Sequence, residues 1–507
     1  MSFSLLGLAL CALLAFAAGG ASAAAPIVHD GPIPATYQTA ATAPINSPLA
    51  DAVTAEGIMK HLQTFQRIAM RPQNKGSRSI YNGYDDSLDY VAEQLRSVSG
   101  GGYSVVYQPM VAHVSEYPEP PTLSVTYPHQ FDLALNDDFV GFNFGGSGNL
   151  EDVPVALVLG GCNASDFEDF VPGSVALINR HVHVAAGDQI PTCPYRDRVG
   201  HATAAGATAV LMYNPLDLLP TLGGAPAGTT IPSLGLNSAS GAYLVELLAA
   251  GVTPRINLSA HCRAIDVGTN NAIAELDPSR TGAMTNRTII VGAHADGVPN
   301  GPGINDNASG TAVVLEIARQ FARLHRRTVN HVKFAFWSAE EWGLLGSKHY
   351  VDSLTTDERA DIALNLNFDM LGSANFIRGV YDGRNGPDAV RTGSGKIQGL
   401  FEQWFESQGL ASEPTPFNGR SDYGPFIDIG IPAGGLAAGA EEIKTVDQAR
   451  KFGGVAFASL DTCYHRACDD IDNISRQAIG DLGRAAAYVI ETLANMPDLD
   501  LWLNSEN

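Results

Sequence analysis

The sequence predicts an α/β chain interrupted by a β-rich insertion, and three observations carry that prediction. From residue 288 onward, short all-apolar runs alternate with stretches of helical periodicity. Between about Asp137 and Leu258 the alternation gives way to brief β runs separated by Gly/Pro loops. Ahead of that insertion, Glu56–Ala69 places Ile58, Leu62, Phe65 and Ile68 at helical spacing, and Tyr84–Val98 does the same with Leu88, Val91 and Leu95.

Taken in order, residues 1–23 read as a secretory signal: an apolar core from Leu5 to Ala18, then Gly19, Gly20 and the small-residue site Ala21-Ser22-Ala23. The core is about 14 residues long, short of the roughly 20 that a membrane helix needs. Export to an extracellular, periplasmic or vacuolar space is therefore expected, without stable membrane insertion. Residues 24–50, rich in Pro, Ala and Thr, read as a linker or propeptide. Residues 51–136 hold the two helices, the polar loop RPQNKGSRSIYN between them, and a strand in YSVVYQPMV. Residues 137–258 are the insertion, with strands in VALVLGG, SVALINR and AVLMYN and a helix-like stretch at Asp197–Ala205. Residues 259–507 then read as strand Thr288–Ala293, helix Gly310–Leu324, strand His331–Trp337, a helix from about Trp342, and strand Ile362–Phe368. Helix Ile397–Gln408, a buried IGIPAGGL segment and a closing helix Gln477–Leu493 follow.

Composition narrows the function. A net charge of −22 with no basic cluster argues against nucleic acid as a partner, and 45% apolar residues exclude whole-chain disorder. Of the six cysteines, Cys11 leaves with the signal. Cys463 and Cys468 close a tight loop in CYHRAC, Cys162 and Cys193 flank a Gly-rich segment, and Cys262 is left over as a small buried apolar residue. Nothing in the sequence demands an oligomer, and a monomer is the expectation.

The chemistry concentrates at strand ends. TIIVGAHAD closes an apolar strand with His294 and Asp296, at the edge where open α/β sheets bind ligands. A Gly-rich loop then delivers Asp306 just ahead of a helix, and SAEEWGLLGS places Glu340 and Glu341 after the next apolar strand. A third strand ends in Asp369, and CYHRAC supplies His465. Each alone has an ordinary reading: a structural histidine, a helix N-cap, a solvated helix start. Together, two histidines and several acids at one sheet edge form the inventory of a two-metal hydrolase, in which a carboxylate bridges the ions and a further acid moves the proton of a water.

The strings VGAHADG, GINDNASG, FWSAEEWGLLGS, NFDMLGS, GRSDYGPFIDIGIPAGGL and CYHRACDDIDNI resemble the secreted co-catalytic dizinc aminopeptidases with an inserted protease-associated (PA) domain. The resemblance spans about Ala55 to Leu493. It implies a mixed central sheet with helices on both faces and a β-rich PA domain inserted into it. It also implies two Zn²⁺ per chain and peptide substrates with a free amino terminus. By that likeness His294, Asp306 and Asp369 hold one zinc, and Asp306, Glu341 and His465 the other. Glu340 is the general base, Asp296 orients His294, and Tyr464 donates to the oxyanion. Gly419 and Arg420 lie near the substrate amino terminus. The segment from CNASDF to AVLMYN is similar to PA domains, which implies a Cys162–Cys193 disulfide. The chain departs from the pattern at GGLAAGAEE, where Ala437 stands in place of an aromatic wall, so a wider pocket accepting bulky residues is expected. The insertion supplies no ligand and is expected to shape access. Carboxypeptidases and glutaminyl cyclases share the scaffold, and receptor ectodomains with decayed sites share both domains. GRSDYG lacks the G-x-S-x-G elbow of a serine hydrolase.

Overall fold

A computed structural model describes residues 45–98, 102–179, 193–215, 218–221, 223–276, 283–324 and 327–505. The signal-like segment and most of the linker lie outside these residues. In chain order the strands are β1 Ser104–Glu116, β2 Thr122–Tyr127, β3 Phe131–Asp132, β4 Phe139–Gly141, β5 Ser147–Leu159, β6 Val175–Asn179, β7 Ala209–Tyr213 and β8 Ser233–Leu236. They continue with β9 Arg255–His261, β10 Arg263–Glu275, β11 Thr288–His294, β12 His331–Trp337, β13 Ile362–Phe368, β14 Gly379–Tyr381, β15 Glu413–Thr415 and β16 Ala433–Ala437. They form two eight-stranded sheets, ordered β1-β10-β12-β11-β13-β16-β14-β15 and β3-β2-β9-β5-β6-β7-β8-β4.

In the first sheet β12, β11, β13 and β16 run parallel, so their carboxyl ends share one edge. Every residue of β11 and β13 is buried, so β11 reads as a nearly continuous apolar run, while β13 also buries Asn365 and Asn367. Alternate residues serve two cores. Ile289, Val291 and Phe334 face helices Ala55–Ala69, Gly310–Leu324 and Arg476–Ala494, whereas Ile290 and Trp337 face Tyr350 and Phe426 on the opposite side. Helices thus cover both faces of a mixed sheet, as the resemblance implies. Side chains start these helices: Thr54 accepts from the Gly57 amide and Ser475 from the Ala478 amide.

The second sheet gathers strands between Thr122 and His261 and has its own parallel run, β5-β6-β7-β8. It carries two helices, Tyr195–Ala204 and Ser238–Ala249, where the sequence suggests one. The Trp342 helix also starts later than expected. Glu340–Trp342 forms a single tight turn, and the helix proper runs Leu345–Ser353. Both disulfides are formed, Cys162–Cys193 and Cys463–Cys468, and Cys262 is free but half-buried rather than buried.

Candidate metal centre and substrate pocket

The parallel edge gathers the expected residues. His294 is the last residue of β11, and Asp296 follows it, fully buried. After β12, Ala339 (φ 54°) and Gly343 (φ 101°) adopt left-handed backbone on either side of the Glu340–Trp342 turn, so the chain reverses within a few residues. Glu340 and Glu341 therefore stay at the strand end, with side chains only 11% and 4% exposed. Asp369 follows β13 directly. Asp306 sits in an irregular buried turn, Ile304–Ser309, and not at a regular helix N-cap; the helix begins at Gly310.

His294 Nε2 lies 3.3 Å from Asp306 Oδ1 and 3.3 Å from Asp369 Oδ1. His465 Nε2 lies 2.9 Å from Asp306 Oδ2 and 2.9 Å from Glu341 Oε2. One carboxylate therefore spans the two imidazoles. Glu340 Oε2 stands farther out, 3.9 Å from His294 Nε2. Asp296 Oδ1 is 3.6 Å from His294 Nδ1 and accepts from the Glu340 amide at 3.2 Å, tying the first histidine to the Glu340 turn. Tyr464 packs its ring against His465, with centroids 3.9 Å apart.

Donors and charges here fit cations. His294 Nε2, His465 Nε2, Glu341 Oε1 and Asp369 Oδ1 are all buried without a hydrogen-bond partner. His294, Asp306 and Glu341 offer ligand atoms within 4.8 Å of one another, and so do His294, Glu340 and Asp369. Buried carboxylates at such density require compensating positive charge, and imidazole with carboxylate is a zinc donor set. The acidities reflect the same crowding. Burial, then the Asp306 charge, pushes Glu341 up to about 7. Burial is also the main reason Glu340 rises well above the carboxylate range, with Asp369 adding and His294 opposing. Asp306 goes the other way: burial would raise it, but the imidazoles of His294 and His465 facing its two oxygens hold it low.

Several supporting residues carry no signal in the sequence pattern. Asp469, next to Cys468, accepts from the Asn305 amide at 2.7 Å and the Asp306 amide at 3.0 Å, fixing the central carboxylate to the His465 loop. Ser421 donates to Asp369 Oδ2 at 2.6 Å and accepts from Asn367. Arg78, fully buried, donates to the carbonyls of Ala295 (2.8 Å), Pro302 (2.9 Å) and Gly303, so one guanidinium holds both the His294 and Asp306 loops. Asp422 is fully buried beside the cluster and is pushed up to about 7, mainly by burial. Arg78 lies in the polar loop already singled out, but its partners are 217 to 225 residues away, beyond any local pattern.

Beside Asp369 opens a cavity of about 100 Å³, lined among others by Tyr381, Tyr423, Ala437, Glu442 and Tyr464. Ala437 is on its wall. Tyr423 stacks on Phe417 at 4.6 Å and lies 4.7 Å from Tyr381, so aromatic rings fill part of the space. Arg420 also lines it, paired with Glu441 at 2.7 Å, whereas Gly419 (φ 79°) lies behind, its amide donating to the Tyr423 hydroxyl.

The chain matches the Peptidase family M28 model over residues 271–490 and the PA domain model over residues 153–244. It is 37% identical over 470 residues to an aminopeptidase of Pseudomonas aeruginosa, covering 88% of this chain and 82% of that protein. Leucine aminopeptidase 2 of Arthroderma otae is 35% identical over 459 residues, with 88% and 86% covered. The solved aminopeptidase from Aneurinibacillus sp. strain AM-1 has the same fold, with a TM-score of 0.65 at 24% identity over 89% of this chain and 96% of that one. With this fold, this donor set and these relatives, the chain belongs to peptidase family M28, among its PA-domain-containing zinc aminopeptidases.

Proposed function

We propose that the chain is an exported, monomeric aminopeptidase holding two zinc ions, one by His294, Asp306 and Asp369 and one by Asp306, Glu341 and His465. The observation that carries this reading is the division of the Asp306 carboxylate, Oδ1 toward one imidazole and Oδ2 toward the other. When bound, the ions supply Lewis acidity toward the peptide carbonyl and make a water more acidic.

The chain's own groups do the rest. Glu340, outside both ligand sets, takes the proton of the attacking water on its carboxylate and returns it to the leaving amine. Asp296 fixes the His294 ring and, through the Glu340 amide, the base itself. Burial, reinforced by Glu441, raises the Tyr464 hydroxyl well above its ordinary range, so it stays protonated and can donate to the carbonyl oxygen as charge develops there. Arg420 is paired with Glu441, which leaves no free cation for a substrate carboxylate among the described residues lining the cavity. That pairing favours an incoming ammonium and therefore amino-terminal over carboxy-terminal cleavage. The signal-like residues 1–23 and the two disulfides support export.

Zinc analysis should give two ions per chain. Chelation should abolish cleavage of a leucine anilide, and zinc should restore it. Glu340→Gln should lower kcat by about 10² to 10⁴ or more while both ions stay bound. Near-wild-type turnover in that variant would remove Glu340 from its role, and cleavage of N-acetylated substrates would refute amino-terminal specificity.

A further inference from the structure

We infer that Arg466 is a positioning residue for His465, braced from outside by the turn Ala134–Phe139 of the second sheet. The inference rests on the assignment of His465 as a zinc ligand. Arg466 is the next residue after His465, inside the loop closed by Cys463 and Cys468. Its Nη2 donates to Asp137 Oδ1 at 2.5 Å and its Nε to the Asn136 carbonyl at 3.3 Å, while Nη1 reaches back to the Thr462 carbonyl at 3.4 Å. One guanidinium thus joins the catalytic loop to the inserted domain.

The other metal-bearing loop reaches the same turn. Asn300, six residues before Asp306, donates its amide to Asn136 Oδ1 at 3.1 Å. The two loops are also locked to each other. A Cβ on Gly301 would lie 2.3 Å from the Arg466 carbonyl oxygen, so only glycine permits that approach. The same oxygen accepts from the Asp469 amide at 3.0 Å, and Asp469 holds the Asp306 amide.

The turn is a firm abutment. Asp138 accepts from the Ala134 amide and donates its own amide to the Ala134 carbonyl, both at 2.8 Å. Asn237 fastens the turn to the body of the second sheet. Its Nδ2 donates to the Asp137 carbonyl, its backbone amide to the Asp138 carbonyl, and its Oδ1 caps the helix Ser238–Ala249. Asp137 is 58% exposed and Arg466 25%, so charge attraction alone contributes little. The effect comes from direction: two converging donors fix where the residue beside His465 sits. The inserted domain contributes no ligand and yet holds one in place.

The test uses full-length zinc-loaded protein carrying Asp137→Ala, Arg466→Ala or both, with zinc release to a colorimetric chelator as readout and steady-state kinetics alongside. Hydrogen-bond partners of ligands typically govern metal affinity by about 10 to 100-fold, and this brace acts one bond farther out, so one of the two ions should leave about 3 to 10-fold faster. The double variant should release it no faster than Arg466→Ala alone, because the contact that Asp137→Ala removes is already lost with Arg466. kcat should fall while KM holds, and Arg466→Lys should restore part of the loss. Wild-type release from Asp137→Ala, or effects of the two changes that multiply, would overturn the brace. His465→Ala separates the two ideas: if it still binds two ions, the ligand assignment fails, whatever Asp137→Ala does.

Discussion

The two sheets have the same size and a similar plan, each with four parallel strands in a row, yet only one carboxyl edge carries a metal centre. At the first edge the chain continues from β11, β12 and β13 into His294 and Asp296, Glu340 and Glu341, and Asp369. At the second, β5 runs into Gly160 and Gly161 and the disulfide at Cys162, β7 into Asn214, and β8 into Asn237, which caps a helix. Among the described residues no His/acid cluster forms there. The strand plan offers a crevice, but function depends on what the next two residues are. Each edge also has a buried arginine. Arg78 clamps the loops bearing His294 and Asp306, and Arg198 donates to the Gly160 carbonyl at 2.5 Å beside Cys162.

The two arginines give the sharpest way to break the comparison. Arg78→Met removes the guanidinium donor from three buried carbonyls, of which that of Gly303 keeps the Ala308 amide, and should cost about 3 to 5 kcal/mol of stability and accelerate zinc loss. Arg198→Met should cost stability too, but leave kcat per folded molecule unchanged. Equal effects on kcat would mean that the sheets are not functionally distinct. Next in size is a pH effect confined to the first edge. Glu341 has its folded value near 7, above the roughly 4.3 of an unfolded chain, so the metal-free folded state holds a proton that the unfolded state releases. Its stability is then greatest below about 4.3 and falls as pH rises toward 7, by about 4 kcal/mol at most. Asp422 acts in the same sense, as do His294 and His465, whose acidities the nearby carboxylates lower despite burial. Melting of the chelated protein should show this slope and the zinc-loaded protein should not; a flat profile for the chelated form would discount the buried acids.

Smaller effects refine the contrast. Replacing Cys162 and Cys193 together by Ser should destabilise the second sheet by about 2 to 4 kcal/mol without altering kcat. The same change at Cys463 and Cys468, which close a much shorter loop, should lower kcat more than stability. Smallest of all, Ala437→Phe should shift relative kcat/KM toward small aliphatic residues by about 1 kcal/mol. Unchanged relative values over alanine, leucine and phenylalanine anilides would show that Ala437 does not govern the pocket.

How much of this was legible depends on whether a residue's role is local. β12, β13 and the helix Gly310–Leu324 coincide with the expected spans, because apolar residues dominate them even where Lys333, Asn365 and Asn367 interrupt the strands. The candidate ligands were visible because each directly follows such a run or lies in a Gly- or Cys-marked loop. Arg78, Asp469, Ser421 and Arg466 were not: they act on backbone atoms, or on residues far along the chain, and polar residues in loops have no periodicity. The full length of β1 and β10 was hidden for a related reason. Their burial is irregular because one member lies at the sheet margin, so alternation is blurred.

β1 and β10 pair from Ser104↔Glu275 to Glu116↔Arg263, so the two ends of the insertion lie side by side. Closing an unstructured chain to bring Glu116 to Arg263, 147 positions apart, would carry a loop-closure entropy that grows with the logarithm of its length. The second sheet removes most of that cost. Its strands β2 and β9 already hold Thr122 against Ser259, a few residues from the start of the β1/β10 ribbon. Once the insertion has folded, the ribbon can zip from that end as an ordinary hairpin does. The inserted domain then acts as the tip of a very large hairpin, and the order of assembly during synthesis, insertion first and peptidase sheet afterwards, is set by the connectivity of the chain.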